Sequence, residues 1–161
     1  MSQSGNGDGF ITIGYLEIRA PPVLIDTLVG EDTSASVVEH LGEGPYAIGI
    51  SLSRPTREDL EMAGYNVIAE IGTPQEMSPA HMTAIAENVA VVVDRIVRVL
   101  RSQPLYLALA CPVTVAFLIG SLVGPLKTVR ILHWEGGYKV LPKHDTDRVR
   151  KKVSTPGTLK I

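Results

Sequence analysis

Cysteine occurs once in the 161 residues, as Cys111, so no internal disulfide can form and no Cys/His spacing of a zinc site is available. Charge of one sign is missing too. Fifteen Lys and Arg against seventeen Asp and Glu leave a formal net charge of −2, and such a chain presents no strong field to recruit DNA or anionic lipid. The four histidines, His40, His81, His133 and His144, form no HExxH pair and have no carboxylate at metal-site spacing, and a GxSxG elbow is absent. No metal and no cofactor is therefore expected. The opening residues, MSQSGNGDG, have neither a basic n-region nor an apolar h-region, so they do not read as a secretory signal and cytoplasmic residence is the expectation. Hydrophobic residues at 45% and charged residues at 20% suit one soluble domain long enough to bury a core.

Along the chain, residues 1–9 have nothing to bury and are expected to form a disordered tail. FITIGYLEIRA, from Phe10 to Ala20, is rich in β-branched residues, stops at Pro21-Pro22 and reads as one first strand. A short helix is expected near Ser34 to Leu41, with Asp32, Thr33 or Ser34 as its N-cap. YAIGISLS, residues 46–53, lies between Gly44-Pro45 and Pro55 and reads as a second strand. A helical turn follows in RPTREDLEMAG, then a third strand in YNVIAEIG, residues 65–72. From Ser78-Pro79 to Ser102, apolar residues recur every three or four positions from Met82 to Leu100, and this is the longest helix.

Then comes a charge-free run from Ser102 to Leu126, long enough to span a bilayer. Its internal punctuation argues otherwise. Leu105 to Ala110 is a six-residue apolar piece, Cys111-Pro112 interrupts it, and Val113 to Val123 runs on to Gly124-Pro125, which fits strand, turn and helix better than one membrane span. KTVRILHW, residues 127–134, is a further strand, and Gly136-Gly137 turns it into YKVL as a C-terminal β-hairpin. Residues 10–142 then make a single α/β domain, a Rossmann-like, mostly parallel sheet with helices on both faces. Residues 143–161 form a polar, basic tail or interaction segment.

Without a catalytic motif, the site is sought by geometry. In an open parallel sheet the ligand crevice lies beyond the carboxyl ends of the strands, where loops lead into helices. The loop ISLSRPTRE offers the hydroxyls of Ser51, Ser53 and Thr56 and the guanidiniums of Arg54 and Arg57, a set suited to phosphate or a base edge; equally, the arginines could be solvated. The turn ALACPVT offers the backbone N–H groups of Val113 and Thr114 and the Thr114 hydroxyl at a helix start, or simply a local cap. Cys111 beside that helix start reads either as a thiol activated by the helix dipole or as a small buried residue in a tight turn, the commoner case. Trp134 and Tyr138 flank the hairpin turn and either stack a base or pack the hairpin onto the sheet. The glycines of GEGPYAIG precede a strand instead of following one, which argues against a dinucleotide loop.

The order of the ISLS strand, the long Ala/Val-rich helix, LYLALACPVTVAFLIGSLVG and VRILHWEGGYKVLP resembles the C-terminal half of SAVED domains over about residues 46–142. The resemblance rests on the turn Ala110-Cys111-Pro112, on Gly120 in the helix, and on the hairpin Trp134-Glu135-Gly136-Gly137-Tyr138. SAVED domains look like two fused CARF-like units that bind cyclic oligonucleotide second messengers in the antiviral CBASS and type III CRISPR systems. The resemblance implies a sensor, with no catalysis of its own, in which ligand binding drives oligomerisation and activates a separate effector. It also implies that Arg54, Arg57 and Thr114 face phosphates, that Trp134 or Tyr138 faces a base, and that Cys111 and Pro112 line the same turn. The chain departs from the family in being about half the length of a full SAVED domain, so a second copy or another subunit should complete it. Two other readings remain open: a ring nuclease in which the ligand's own 2′-hydroxyl attacks, positioned by Arg54 and Ser53, and a scaffold that contacts its partner through the basic stretch from Arg148 to Lys152. No membrane partner and no direct DNA binding are expected.

Overall fold

The computed structural model describes residues 7–30, 36–124, 128–142 and 151. The expected N-caps Asp32, Thr33 and Ser34, the strand residue Lys127 and nearly all of residues 143–161 lie outside them. Chain order gives strands β1 (Gly9–Ile13) and β2 (Leu16–Ala20), helices α1 (Pro22–Val29) and α2 (Ser36–Glu39), and then β3 (Tyr46–Ser51). Next come α3 (Arg57–Met62), β4 (Asn66–Ile71), α4 (Pro79–Leu100), β5 (Leu105–Ala110), α5 (Val113–Val123), β6 (Val129–Trp134) and β7 (Tyr138–Val140). They build one seven-stranded sheet in the order β1-β2-β4-β3-β5-β6-β7. The central strands β4, β3, β5 and β6 are parallel, and antiparallel strands finish both edges.

Topology decides which helix covers which face. The chain steps from β3 out to β4, then turns back past β3 to β5 and continues to β6, so right-handed crossovers place α3 on one face and α4 and α5 on the other. The packing agrees with that rule. α1, α2, α4 and α5 close over the larger core, which includes Ile48, Ile50, Ile85, Val93, Ile96, Val115 and Ile119. On the opposite face only Leu60 of α3 joins a small cluster with Ala47, Val67, Ala108, Leu132 and Tyr138. Helices stand on both faces, as expected, but unequally.

Several elements differ from the sequence-based expectation. Phe10 to Ala20 is not one strand but the hairpin β1–β2, paired from Gly9↔Ala20 to Ile13↔Leu16. Gly14 makes the turn at φ +58, and a Cβ there would run into the Asn88 side chain. Pro22 to Val29, to which the sequence reading assigns no element, form α1, with Pro22 at the first helical position, where a proline lacks only an N–H that the helix leaves unbonded anyway. Order begins within the expected tail, since Gly9 starts β1 and Asp8 is ion-paired with Arg57 at 2.8 Å. The long helix starts as expected, with Pro79 in its first turn and the Ser78 hydroxyl accepting from the His81 N–H at 3.4 Å. The charge-free run is divided by Cys111-Pro112 into β5 and α5, and among the described residues no helix is long and apolar enough to cross a membrane.

Candidate functional site

The chain reverses direction across the sheet between β3 and β5, and both strands end at the same edge. That is where an α/β sheet leaves its crevice. The loop after β3 folds over the end of β5, with the N–H groups of Leu52 and Ser53 both donating to the Ala110 carbonyl at 2.9 and 2.7 Å. This fold-over separates the expected site residues into three groups.

The first group comes together on the α3 face. Arg54, Trp134 and Tyr138, remote in sequence, meet where the β3 loop lies against the β6–β7 hairpin. Trp134 and Tyr138 are cross-strand partners, and their rings meet edge to face with centroids 5.1 Å apart. The Arg54 guanidinium lies over the indole, 4.2 Å from the ring centroid, and its Nη2 donates to the Tyr138 hydroxyl at 3.1 Å. Its Nη1 donates to Asp59 of α3 at 3.1 Å. Trp134 stays 43% exposed whereas Tyr138 is buried, so the indole is the surface of this cluster and the phenol its floor. Burial raises the Tyr138 hydroxyl above its ordinary pKa; Arg54 pulls it back and Asp59 adds to the rise. The hydroxyl therefore stays protonated and accepts from Arg54 through a lone pair.

The second group turns inward. Ser51 and Thr56 are buried, and their hydroxyl oxygens lie 2.6 Å apart. Ser51 donates to Glu70 Oε2 at 2.9 Å, which uses its one proton, so Thr56 is the donor between the two hydroxyls. The Thr56 N–H also donates to Glu70 Oε2, at 3.3 Å. Gly49 makes this possible, because a Cβ on that strand position would collide with the Thr56 hydroxyl. Thr56 consequently begins α3 without capping it, its hydroxyl being taken up by Ser51. Arg57 joins the network through Asp8 at 2.8 Å, Glu61 at 3.8 Å and Glu70 at 3.9 Å. The contact with Asp8 is close but poorly aligned, and Arg57 Nη2 is buried without a hydrogen-bond partner among the described residues. These three residues fasten α3 to the sheet; Ser51 and Thr56 are buried, while the Arg57 side chain stays 23% exposed.

The third group lies across the sheet at the start of α5. Val113 and Thr114 are exposed, Pro112 is half-buried, and the Thr114 hydroxyl contacts Met82 Sδ of α4 at 3.8 Å. Of the two readings of Cys111, the half-buried residue in the turn fits, since burial pushes its thiol up to about 11. Ser53 is exposed at the rim between the first and third groups.

Asp59, Glu70 and Asp8 were not singled out by sequence reasoning. Glu70 carried a usable signal, as the one charge in the apolar strand YNVIAEIG; Asp8 and Asp59 carried none. Among the described residues, no group of three or more His, Cys, Asp or Glu is placed to hold a metal ion. No protein-family model matches the chain, and no curated protein is detectably similar to it.

Proposed function

We propose that this chain is a CARF-like sensor subunit that binds a cyclic oligonucleotide at the strand ends, with the Arg54–Trp134–Tyr138 cluster as its recognition surface. The observation that carries this reading is the guanidinium stacked on a half-exposed indole. An indole face takes any base, and an arginine beside it supplies the charge for the adjoining phosphate. Arg54 is held by Asp59 in a pair that is about one-third exposed on each side, and such pairs contribute only ~0–1 kcal/mol. A phosphate oxygen can thus take the guanidinium from Asp59 at little cost. The rim residue Ser53 and the helix start at Val113 and Thr114 stand at the same strand ends and supply further donors to a ring with several phosphates.

The resemblance to SAVED domains supports the same ligand class and adds the mode of action: an antiviral subunit whose binding is linked to assembly with itself or with a separate effector. Calorimetry with cyclic di-, tri- and tetranucleotides tests the reading. One member of the panel should bind at micromolar concentration, and Trp134→Ala should weaken it by roughly 5- to 150-fold, the loss of one stacked base. No binding by any member up to about 100 μM, or equal binding by Trp134→Ala, overturns the proposal. Chromatography of the recovered ligand should return it intact; cleavage would make the chain an enzyme.

A further inference from the structure

Helix α5, VTVAFLIGSLV, carries no charge in its 11 residues. Its inward side is spent on the core through Val115 and Ile119, yet its outward side is apolar as well: Val113 is 82% and Phe117 77% exposed. Neighbouring α4 shows what an ordinary solvent face looks like here, with His81, Glu87, Arg95 and Arg98 exposed. The outward stripe of α5 runs through Val113, Phe117, Gly120 and Ser121, the i, i+4, i+7, i+8 spacing of one helical face.

Gly120 is the informative member. A glycine inside a helix costs about 1 kcal/mol relative to alanine, and a Cβ there would meet nothing within 4 Å among the described residues. Packing among the described residues gives no reason for it. The stripe is also graded, bulky at its N-terminal half and small at its C-terminal half. A two-fold axis crossing the helix between Phe117 and Gly120 would lay two α5 helices antiparallel, each Phe117 over the other's Gly120 and Ser121. The two halves of the stripe are then complementary to one another, as an isologous interface requires. Charge points to the same occupant, since an uncharged stripe offers a charged partner nothing to grip and meets no repulsion from its own copy.

We infer that α5 is a homodimer contact, occupied by α5 of a second copy in this antiparallel register. The inference stands on the helix alone and holds whether or not the ligand reading does. An 11-residue helix is roughly 16 Å long, and its one face falls short of the ~800 Å² per partner typical of stable interfaces, so the dimer is reversible. Sedimentation equilibrium of the full chain from about 1 to about 300 μM should show a monomer–dimer equilibrium within that range. Phe117→Glu and Gly120→Lys should each weaken self-association at least about tenfold, because each buries an unpaired charge. The decisive arm is the mixture. A Phe117→Glu chain paired with a Gly120→Lys chain places glutamate opposite lysine at one contact and keeps the native contact at the other, so association should return in the mixture alone. A wild-type chain that stays monomeric throughout, a dimer indifferent to Phe117→Glu, or a mixture no stronger than its components overturns the inference. Circular dichroism confirms folding of each variant, and both positions are solvent-facing.

Discussion

On the side of α4 and α5 the sheet meets Ile85, Val89, Val93, Ile96, Val115 and Ile119, a continuous apolar layer; on the other side it meets a six-residue helix with one fully buried apolar side chain, Leu60. The first face can stabilise the domain by area alone. The second cannot, and it is tied down by polar contacts: Ser51, Thr56 and Arg57 around Glu70, and Arg54 between Asp59 and Tyr138. A face left this thinly covered has side chains to spare. Among the described residues no long helix lies over the β6–β7 edge on that side, and Trp134 is exposed there. Apolar packing and the exposed Arg54–Trp134 cluster thus lie on opposite faces of one sheet, and substitutions should separate their effects.

The largest effect belongs to the covered face. Ile96→Ala removes a fully buried side chain from the C-terminal part of α4 and should cost ~2–5 kcal/mol, read from the urea midpoint, while leaving the emission of the native state unchanged. That second readout is available because the chain has a single tryptophan, Trp134, on the other face. A shift in native-state emission would mean that the two faces are coupled more tightly than their packing implies.

Gly49→Ala should be smaller in energy and act on the thin face. The new Cβ would collide with the Thr56 hydroxyl and lie 2.8 Å from Thr56 Cβ and 3.2 Å from Leu60 Cδ1, so α3 must lift off the strand. Overpacking of this kind typically costs about 1–3 kcal/mol. Because Asp59 rides on α3, the guanidinium should loosen from the indole and the tryptophan emission should change. Stability loss without that optical change would show α3 and the aromatic cluster to be independent.

Much of this architecture was legible because proline and glycine punctuate it. Ser78-Pro79 opens α4, Cys111-Pro112 parts β5 from α5, and Gly136-Gly137 turns the last hairpin. The errors came from the same residues. A lone glycine within FITIGYLEIRA reads as strand, although Gly14 reverses the chain, and Pro21-Pro22 stops the strand as expected but gives no sign in its pattern that Pro22 also starts α1. The site was half legible. Residue types suggested phosphate and base contacts, but only the fold could bring Arg54 to Tyr138 or turn Ser51 and Thr56 inward toward Glu70. Sequence distance hides the first, and a single acid in a strand understates the second.

Smaller again is the cost of cutting the recognition cluster. Arg54→Gln removes a partly exposed ion pair and a cation–π contact, worth together about 1 kcal/mol, so the urea midpoint should hardly move. The tryptophan emission should shift clearly, since the charge 4.2 Å from the indole centroid is gone. A large stability loss would place this cluster in the structural network with Arg57, and the division between the faces would fail.

Cys111 tests the boundary, since it sits at the end of β5 where both faces meet the α5 start. Burial moves the thiol from its ordinary 9.0 to about 11. An acid whose pKa is higher in the folded than in the unfolded state holds its proton more tightly when folded. The associated stability is therefore complete below about pH 9 and is lost as pH rises through about 11, and Cys111→Ala should flatten that alkaline decline. The same shift makes the native thiolate about a hundredfold scarcer than the unfolded one at pH 8, so a disulfide reagent should label the folded chain that much more slowly. Equal labelling rates would mean that burial does not hold the native thiol protonated. Slow labelling would tie the thiol's inertness to its own burial, while Val113 and Thr114 stay exposed at the helix start beside it, where the proposed phosphate contacts stand.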